Sequence, residues 1–312
     1  MNPDRNGSRR RCALALTGIL GVLGLPQTLA AEPPARLQVE MSSISWATRG
    51  PVGAAVVVVE GGGSIVALHG EQRFPMQSVY KLPIAMAVLR QVDLGKLRLN
   101  QRVKIGPHDM VPPSRGSVIR DKYPNGTKMM VSELLSAMMG VSDGTASDIL
   151  LKLAGGPERV TAYVRGLGGR GIVVATTEAA MARGEQVQYR NGATPDAMVG
   201  LLRVLQEGKG LSASSRRLLL GLMTASKTGP GRIKVLLPEG TVVAHKTGSI
   251  GTVHGLTRAT NDVGLVTLPD GKHLAVVVFV SDTKAGEATR DAVIAKIARA
   301  AWNDRAALES RR

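Results

Sequence analysis

Nucleophilic and ionisable side chains recur in short motifs along this chain, and their types suit acyl transfer through a serine ester. Ser78 is followed by Lys81, so on a helix the lysine amine lies one turn from the serine hydroxyl. An amine among apolar neighbours is less readily charged and can accept the serine proton. Ser142 lies in a second hydroxyl-bearing motif, Glu178 supplies a carboxylate, and Lys246 opens a Lys-Thr-Gly triplet. The set predicts a serine nucleophile, a nearby base and a cationic strand.

Two of these motifs also have an ordinary structural interpretation. Ser78 precedes an apolar periodic run, where serine is a common N-cap residue. Lys246 follows a β-rich stretch and can equally be a water-facing lysine on an edge strand. In the catalytic interpretation, Lys246, Thr247 and Ser249 bind a substrate carboxylate. Gly248 lets the ligand lie close to the backbone, and the Ser249 amide joins that of Ser78 in stabilising an oxyanion.

Three other patterns match known motifs but lack the required context. Residues 140–144 fit G-x-S-x-G, but a helical pattern precedes them, whereas a nucleophile elbow follows a strand. Residues 166–171 fit G-x-G-x-x-G, but they follow a helix and precede a strand, the reverse of a dinucleotide site. The five histidines show no metal-ligand spacing. We therefore expect no cofactor and no metal.

The first 30 or 31 residues have the pattern of an export signal. A triple arginine precedes an apolar stretch that is too short to span a bilayer, and small residues follow at 28–31. The arginines fit a twin-arginine signal about as well as an ordinary secretory one. The single cysteine, Cys12, lies in this segment, so the mature protein has no thiol or disulfide. We predict an exported, periplasmic or secreted protein that keeps no membrane insertion.

Charge and composition limit the possible partners. Removal of residues 1–31 lowers the formal net charge from +16 to +13. The lysines and arginines are scattered, and only 3% of residues are aromatic, so no nucleic-acid surface is indicated. A 44% hydrophobic content is enough for a large core. We expect a monomer that acts on a small molecule, with a cationic, solvated surface.

Hydrophobic periodicity predicts a mixed α/β (α+β) fold, with strands at both ends of the mature chain and helices between. Predicted strands cover 52–59, 64–69, 242–246, 252–261, 264–267 and 274–282. Predicted helices cover 79–92, 131–139, 145–153, 157–166, 195–206, 212–223 and 285–308. The pattern implies an antiparallel sheet built from both chain ends, flanked by helices, with an all-α lobe inserted.

The motifs together resemble those of class A serine β-lactamases, with their S-x-x-K, S-D-N and K-T-G order. The resemblance extends from Phe74-Pro75 to the last helix. The stretches 120–124 and 187–191 are similar to the extended-spectrum branch. It implies the β-lactamase and transpeptidase-like fold, in a single catalytic domain at 32–312. The α/β lobe would comprise 32–75 and 235–312, and the all-α lobe 76–234.

The resemblance also implies a role for each candidate residue. Ser78 attacks the lactam carbonyl, with Lys81 or Glu178 as the base for acylation. Ser142 and Lys246 pass a proton to the departing nitrogen, and Glu178 activates the water that hydrolyses the ester. Arg232 matches an arginine that helps to hold the substrate carboxylate; its alternative interpretation is a surface arginine.

The chain departs from the family pattern at several positions. Gly144 replaces the asparagine that binds the substrate acylamide, which predicts altered side-chain preference. Ala182 replaces an asparagine ligand of the hydrolytic water, which predicts slower deacylation. The arginine and aspartate that pin this loop in common members appear as Thr176 and Asn191, so we expect the loop to close differently. We also expect Asp148 to anchor it; its alternative interpretation is an ordinary helix-surface aspartate.

Two further departures bear on the cleft and on the alternatives. Gly116 takes a rim position that is often aromatic, which predicts a wider mouth. The competing hypotheses are a penicillin-binding peptidase, a slowly deacylating lactam-binding protein, and a non-catalytic envelope module.

Overall fold

The computed structural model describes residues 33–309. The predicted signal at 1–31 lies outside them, so it and the division at residue 31 stay predictions. Nine strands are present among these residues: β1 Val52–Val58, β2 Val66–Leu68, β3 Phe74–Pro75, β4 Arg102–Ile105, β5 Thr127–Met130, β6 Gly192–Ala193, β7 Val243–Ser249, β8 Thr257–Thr267 and β9 His273–Thr283. Five of them form the main sheet, in the order β2-β1-β9-β8-β7.

Helices fill the interval between the two groups of sheet strands and also cover the sheet. They are α1 Pro33–Ser45, α2 Lys81–Asp93, α3 Val118–Lys122, α4 Val131–Gly140, α5 Gly144–Leu153, α6 Pro157–Gly166, α7 Glu178–Met181, α8 Pro195–Gln206, α9 Ala213–Thr224, α10 Glu287–Asn303 and α11 Arg305–Glu309. All neighbouring strands of the sheet are antiparallel. The predicted fold class is confirmed.

The sheet is covered on both faces, which explains the unbroken Val/Ala runs of its central strands. Every residue of β1 is buried, because alternate side chains enter different cores. Ala54, Val56 and Val58 pack in the core that contains α1 and α10. Ala55 and Val57 pack in the larger core, which contains α2, α4, α5 and α8. The sheet therefore forms a layer between two helical layers.

Several sequence predictions differ from the structure. The predicted helix 285–308 is two helices, α10 and α11, and strands β4 and β5 and helix α3 were not predicted. Helix α1 has no counterpart among the predicted elements, because its apolar residues form only a narrow buried stripe that includes Leu37 and Met41. The prediction of two separate strands at 252–261 and 264–267 is wrong, because residues 257–267 form one continuous strand, β8. The polar pair Asn261-Asp262 lies inside it, and both side chains are buried and hydrogen-bonded.

In residues 33–309, no helix combines the length and apolar character that spanning a membrane requires.

Candidate active site

Ser78 lies in a short 3-10 turn, Gln77–Tyr80, that leads directly into α2. Serine does not act there as the helix N-cap, because Tyr80 holds that position. Lys81 is the first residue of α2, one turn after Ser78, and its Nζ lies 3.1 Å from the Ser78 Oγ. The spacing of three residues thus brings the amine against the hydroxyl.

Lys81 joins three elements of the site although it is 1% exposed. Its ammonium donates to the Ser142 carbonyl oxygen at 2.7 Å and to the Ser142 Oγ at 3.2 Å. The Glu178 Oε1 lies 2.8 Å from the same nitrogen. One buried cation therefore contacts the candidate nucleophile, the second hydroxyl and the carboxylate.

Ser142 is held in a left-handed backbone conformation between α4 and α5, with φ 62°. Such a conformation costs energy for a non-glycine residue and persists where its neighbours fix it. The next residue, Asp143, fixes it by accepting from the Ala146 amide at the start of α5 and from the Ile119 amide. The Ser142 hydroxyl consequently faces both Lys81 and Lys246.

Gly144 packs tightly against the preceding loop. A Cβ there would lie 3.1 Å from the Gly116 carbonyl oxygen and 3.2 Å from Val111 Cγ2. The Gly144 amide donates to that Gly116 carbonyl at 2.9 Å. A side chain at this position therefore requires the neighbouring loop to shift by a few tenths of an ångström. Gly116 itself is exposed and lines the cleft.

Strand β7 carries the Lys-Thr-Gly motif along one side of the Ser78 turn. A Cβ on Gly248 would lie 2.4 Å from the Met76 carbonyl oxygen and 3.0 Å from the Ser78 amide nitrogen. Glycine is thus required for the strand and the turn to meet. Thr247 is buried, whereas Ser249 is exposed at the end of the strand.

Lys246 is fully buried, so the interpretation as a water-facing lysine is wrong even though β7 is an edge strand. Its Nζ donates to the Ser142 Oγ at 3.1 Å. Burial, and then the charge of Lys81, lower the pKa of Lys246 to about 7. Asp262 and Glu178 act in the opposite direction.

Glu178 begins the short helix α7, whose first turn is anchored by Asp148. The two carboxylate oxygens of Asp148 accept from the Glu178 amide at 2.7 Å and from the Ala179 amide at 2.9 Å. Thr177 caps the same turn by accepting from the Ala180 amide. Burial raises the pKa of Asp148 to about 6. Asp148 is therefore the anchor of this loop, and the alternative of a plain helix-surface aspartate is wrong.

The loop that carries Glu178 is closed by one buried amide, that of Asn191. Its Oδ1 accepts from the Ala175 and Thr176 amides, and its Nδ2 donates to the Thr176 carbonyl. Three backbone groups are satisfied without the ion pair of common family members. The expected difference in loop closure is thus present.

We expect Asn191→Ala to lower the free energy of unfolding by about 1–3 kcal/mol, because buried backbone groups lose their partners. Chemical denaturation of the purified protein measures this effect. Asn125→Ala, at an exposed turn position, is the matched control and should leave stability unchanged. Equal stability of the Asn191 and Asn125 variants would contradict this role.

Arg115 is a site residue that sequence reasoning missed. Its Nε donates to the Glu178 Oε2 at 2.7 Å, and its Nη2 contacts the same oxygen. Burial favours a raised pKa for Glu178, but the charges of Lys81 and Arg115 outweigh it and hold the pKa below its ordinary value. Arg115 lies in an irregular Pro-Pro-Ser-Arg-Gly stretch, and nothing in that stretch indicated a contact with Glu178.

Arg232 is buried and held in place, so it is not a surface arginine. Its Nε donates to Asp291 at 2.8 Å, and its Nη1 donates to the Asn261 carbonyl at 3.0 Å. The remaining nitrogen, Nη2, donates to the Ser249 Oγ at 2.8 Å. Arg232 therefore presents positive charge at the exposed end of β7.

Eight of the side chains described above border one polar cleft of about 390 Å³. Its lining includes Ser78, Lys81, Ser142, Glu178, Thr247, Ser249, Arg232 and Arg115. Hydroxyl, amine and carboxylate thus converge where a small molecule can enter.

Comparisons with known proteins all identify beta-lactamases as relatives of this chain. A sequence model described as the beta-lactamase enzyme family matches residues 36–304. The chain is 38% identical over 276 residues to the extended-spectrum beta-lactamase PER-1 of Pseudomonas aeruginosa, covering 88% of this chain and 89% of that protein. It is 38% identical to the beta-lactamase VEB-1 of the same organism, over 76% of this chain and 79% of that one.

Solved structures give the same result. A beta-lactamase from Chitinophaga pinensis superposes with a TM-score of 0.83 and 46% sequence identity, covering 86% of this chain and 98% of that one.

Proposed function

The chain belongs to the beta-lactamase enzyme family, within class A, and from that premise we propose that it hydrolyses β-lactams through an acyl-enzyme on Ser78. The protein is a β-lactamase, and what we propose is which residues carry out its reaction. One observation supports it above the others. The Ser78 hydroxyl, the Lys81 amine and the Glu178 carboxylate are linked by contacts of 3.1 and 2.8 Å in a single cleft.

In acylation, the Ser78 oxygen attacks the lactam carbonyl carbon as its proton leaves to Lys81 or to Glu178. Both bases remain candidates, because Lys81 lies between the other two groups and can act as the base once its own proton has passed to Glu178. The oxyanion that forms is stabilised by the backbone amides of Ser78 and Ser249.

Cleavage of the carbon–nitrogen bond needs a proton on the departing nitrogen. Ser142 is the donor, because its Oγ lies 3.2 Å from the Lys81 Nζ and 3.1 Å from the Lys246 Nζ. The two lysines can replace the proton that the hydroxyl gives up.

Deacylation requires Glu178 to take a proton from a water that attacks the ester carbonyl. The ester carbon–oxygen bond breaks, and Ser78 regains its proton. Ala182 offers that water no side-chain ligand, so we expect deacylation to be slower than in family members with asparagine there.

The substrate carboxylate binds at the exposed end of β7, to Lys246, Thr247 and Ser249, and the Arg232 guanidinium beside Ser249 helps to hold it. Gly248 keeps the strand against the nucleophile turn. Gly144 has no side-chain amide to offer the substrate, so the acylamide must find its partners elsewhere in the cleft.

Arg232→Ala is expected to raise KM for a penicillin by about tenfold or more, since a charged hydrogen-bond donor contributes roughly 1.5–3 kcal/mol. The kcat should change little, because this contact is made equally in the ground and transition states. Steady-state kinetics with Arg232→Lys as the charge-retaining control checks it. A fall in kcat at constant KM in Arg232→Ala would assign the residue to the chemistry instead.

The test of the function is turnover combined with intact-mass spectrometry. The purified protein should open a chromogenic cephalosporin and clear its penicilloyl adduct quickly. A long-lived adduct would favour a penicillin-binding peptidase or a slow lactam-binding protein, for which the Ala182 and Gly144 departures are the motivation. A protein that stays unmodified would favour a non-catalytic envelope module.

We also propose that the protein is exported to the periplasm, that residues 1–31 are removed, and that the mature protein is a monomer. Its single catalytic domain would comprise an α/β lobe, 32–75 with 235–312, and an all-α lobe, 76–234. N-terminal sequencing of the protein from a periplasmic extract tests the cleavage site.

A further inference from the structure

Glu178 is held between two cations that come from different parts of the chain. Lys81 faces its Oε1, and the Arg115 guanidinium binds its Oε2 through two nitrogens. The Arg115 side chain is about 9% exposed and that of Glu178 is 2% exposed, so little water screens the pair. The proposed mechanism uses Lys81 but leaves Arg115 without a task.

The loop that delivers Arg115 is built to hold this position. Arg120 donates from its Nη1 to the carbonyls of Val111, Pro112 and Arg115, at 3.2, 2.8 and 2.7 Å. The Arg115 amide also donates to the Pro112 carbonyl. One arginine of the 120–124 stretch thus fixes the backbone from which a second arginine reaches the carboxylate.

The same loop is tied to the Ser142 motif. Ser117 Oγ donates to Asp143 at 3.1 Å and to Thr145 at 2.8 Å. A displacement of the loop would therefore disturb both the Arg115 guanidinium and the Ser142 hydroxyl, which is the proposed proton donor. Arg115 is thus held in a fixed position in the wall of the cleft.

We propose that Arg115 is the positioning residue for the deacylating base: it fixes the Glu178 carboxylate and keeps it charged between attack by Ser78 and hydrolysis. The inference rests on the proposed function, because it concerns the base of that reaction. The guanidinium supplies a second fixed polar partner beside Glu178 in a loop where Ala182 provides none.

Several charged or titratable groups face Glu178, and they act in different directions. They are Lys81 at the start of α2, Arg115 on the 106–117 loop, Asp148 on α5, Lys246 on β7 and Tyr80 in the 3-10 turn. Burial and the negative charge of Asp148 oppose ionisation of Glu178. Without Arg115, Lys81 is the one cation in direct ion-pair contact with Glu178 among residues 33–309. The pKa of Glu178 should then rise, and the base should be protonated at a higher pH.

The experiment compares deacylation rates of the wild type, Arg115→Ala and Arg115→Lys between pH 4.5 and 9, by quench and intact mass. We expect Arg115→Ala to shift the acidic limb upward by about one to three pH units, the size expected when an arginine beside a carboxylate is removed. At the low-pH end the loss should be about tenfold or more, and near pH 8 it should be much smaller. Arg115→Lys should show a smaller upward shift than Arg115→Ala. Arg102→Ala, which removes the same charge from an exposed strand position, should keep the wild-type profile.

Three outcomes would overturn the proposal. The first is an acidic limb in Arg115→Ala at the wild-type pH. The second is a rate lowered equally at every pH, which indicates lost loop packing; a thermal melt accompanies each variant to identify it. The third is loss of the acidic fall in deacylation rate when Asp148 is changed to Asn. That result would assign the fall to titration of Asp148, whose pKa is about 6, and not to Glu178.

Failure of this inference can be told apart from failure of the proposed function. If the wild type turns over and Glu178→Ala traps the ester while Arg115→Ala keeps the wild-type limb, only the inference falls. If the wild type never acquires an adduct on Ser78, both fall.

Discussion

Ser78→Ala should abolish β-lactam turnover, with a loss in kcat on the order of 10⁴ to 10⁶, as expected when a nucleophile that acts as a unit with its base is removed. The substitution deletes only the oxygen that forms the ester. The half-buried site and its 3-10 turn keep their packing, so the variant should remain folded and still bind substrate. Initial rates with a chromogenic cephalosporin measure the loss.

The control for Ser78→Ala is Ser64→Ala, an equivalent change at an exposed position, which should keep full activity. Intact-mass spectrometry should find no adduct on the Ser78 variant and a transient one on the control. Turnover by Ser78→Ala at the wild-type rate would remove this serine as nucleophile and with it the proposed mechanism.

Glu178→Ala is expected to convert fast hydrolysis into accumulation of the acyl-enzyme. The rate of ester hydrolysis should fall by about 10² to 10⁴, the usual contribution of a general base. Acylation should fall less if Lys81 takes the first proton and as much if Glu178 takes it. The ratio of the two losses therefore separates the two candidate bases, and mass spectrometry with time-resolved quenching measures both.

Loss of Glu178 also has a structural cost, because two buried cations lose their shared partner. We expect a decrease in the free energy of unfolding of about 3–5 kcal/mol. Glu178→Gln keeps the shape of the side chain and is the matched variant, and Glu239→Ala, at an exposed position, is the neutral control. If either Glu178 variant cleared the penicilloyl ester as fast as the wild type, the deacylating base would have to be another group.

Local pattern was sufficient for most of the fold. Helices α6 and α8 have the predicted bounds, since their apolar residues recur with helical period and proline occupies the first turn. The hairpin β1-β2 follows from two apolar runs around a glycine cluster. Helix α1 and the continuous strand β8 were missed, because the burial of Leu37 or Asn261 depends on partners far along the chain.

By itself the sequence determined the identity and order of the chemistry: a serine with a lysine one turn away, and a later strand that carries a Lys-Thr-Gly triplet. Such features depend on spacings of a few residues, which helix and strand geometry translate directly into distances. Only the tertiary structure decided that Lys246 is buried and that Gly144 packs tightly against the loop at Gly116. It alone brought Arg115 to Glu178, 63 residues away in the chain. No local period encodes such a contact, because it exists only after an irregular loop has been fixed by hydrogen bonds from other elements.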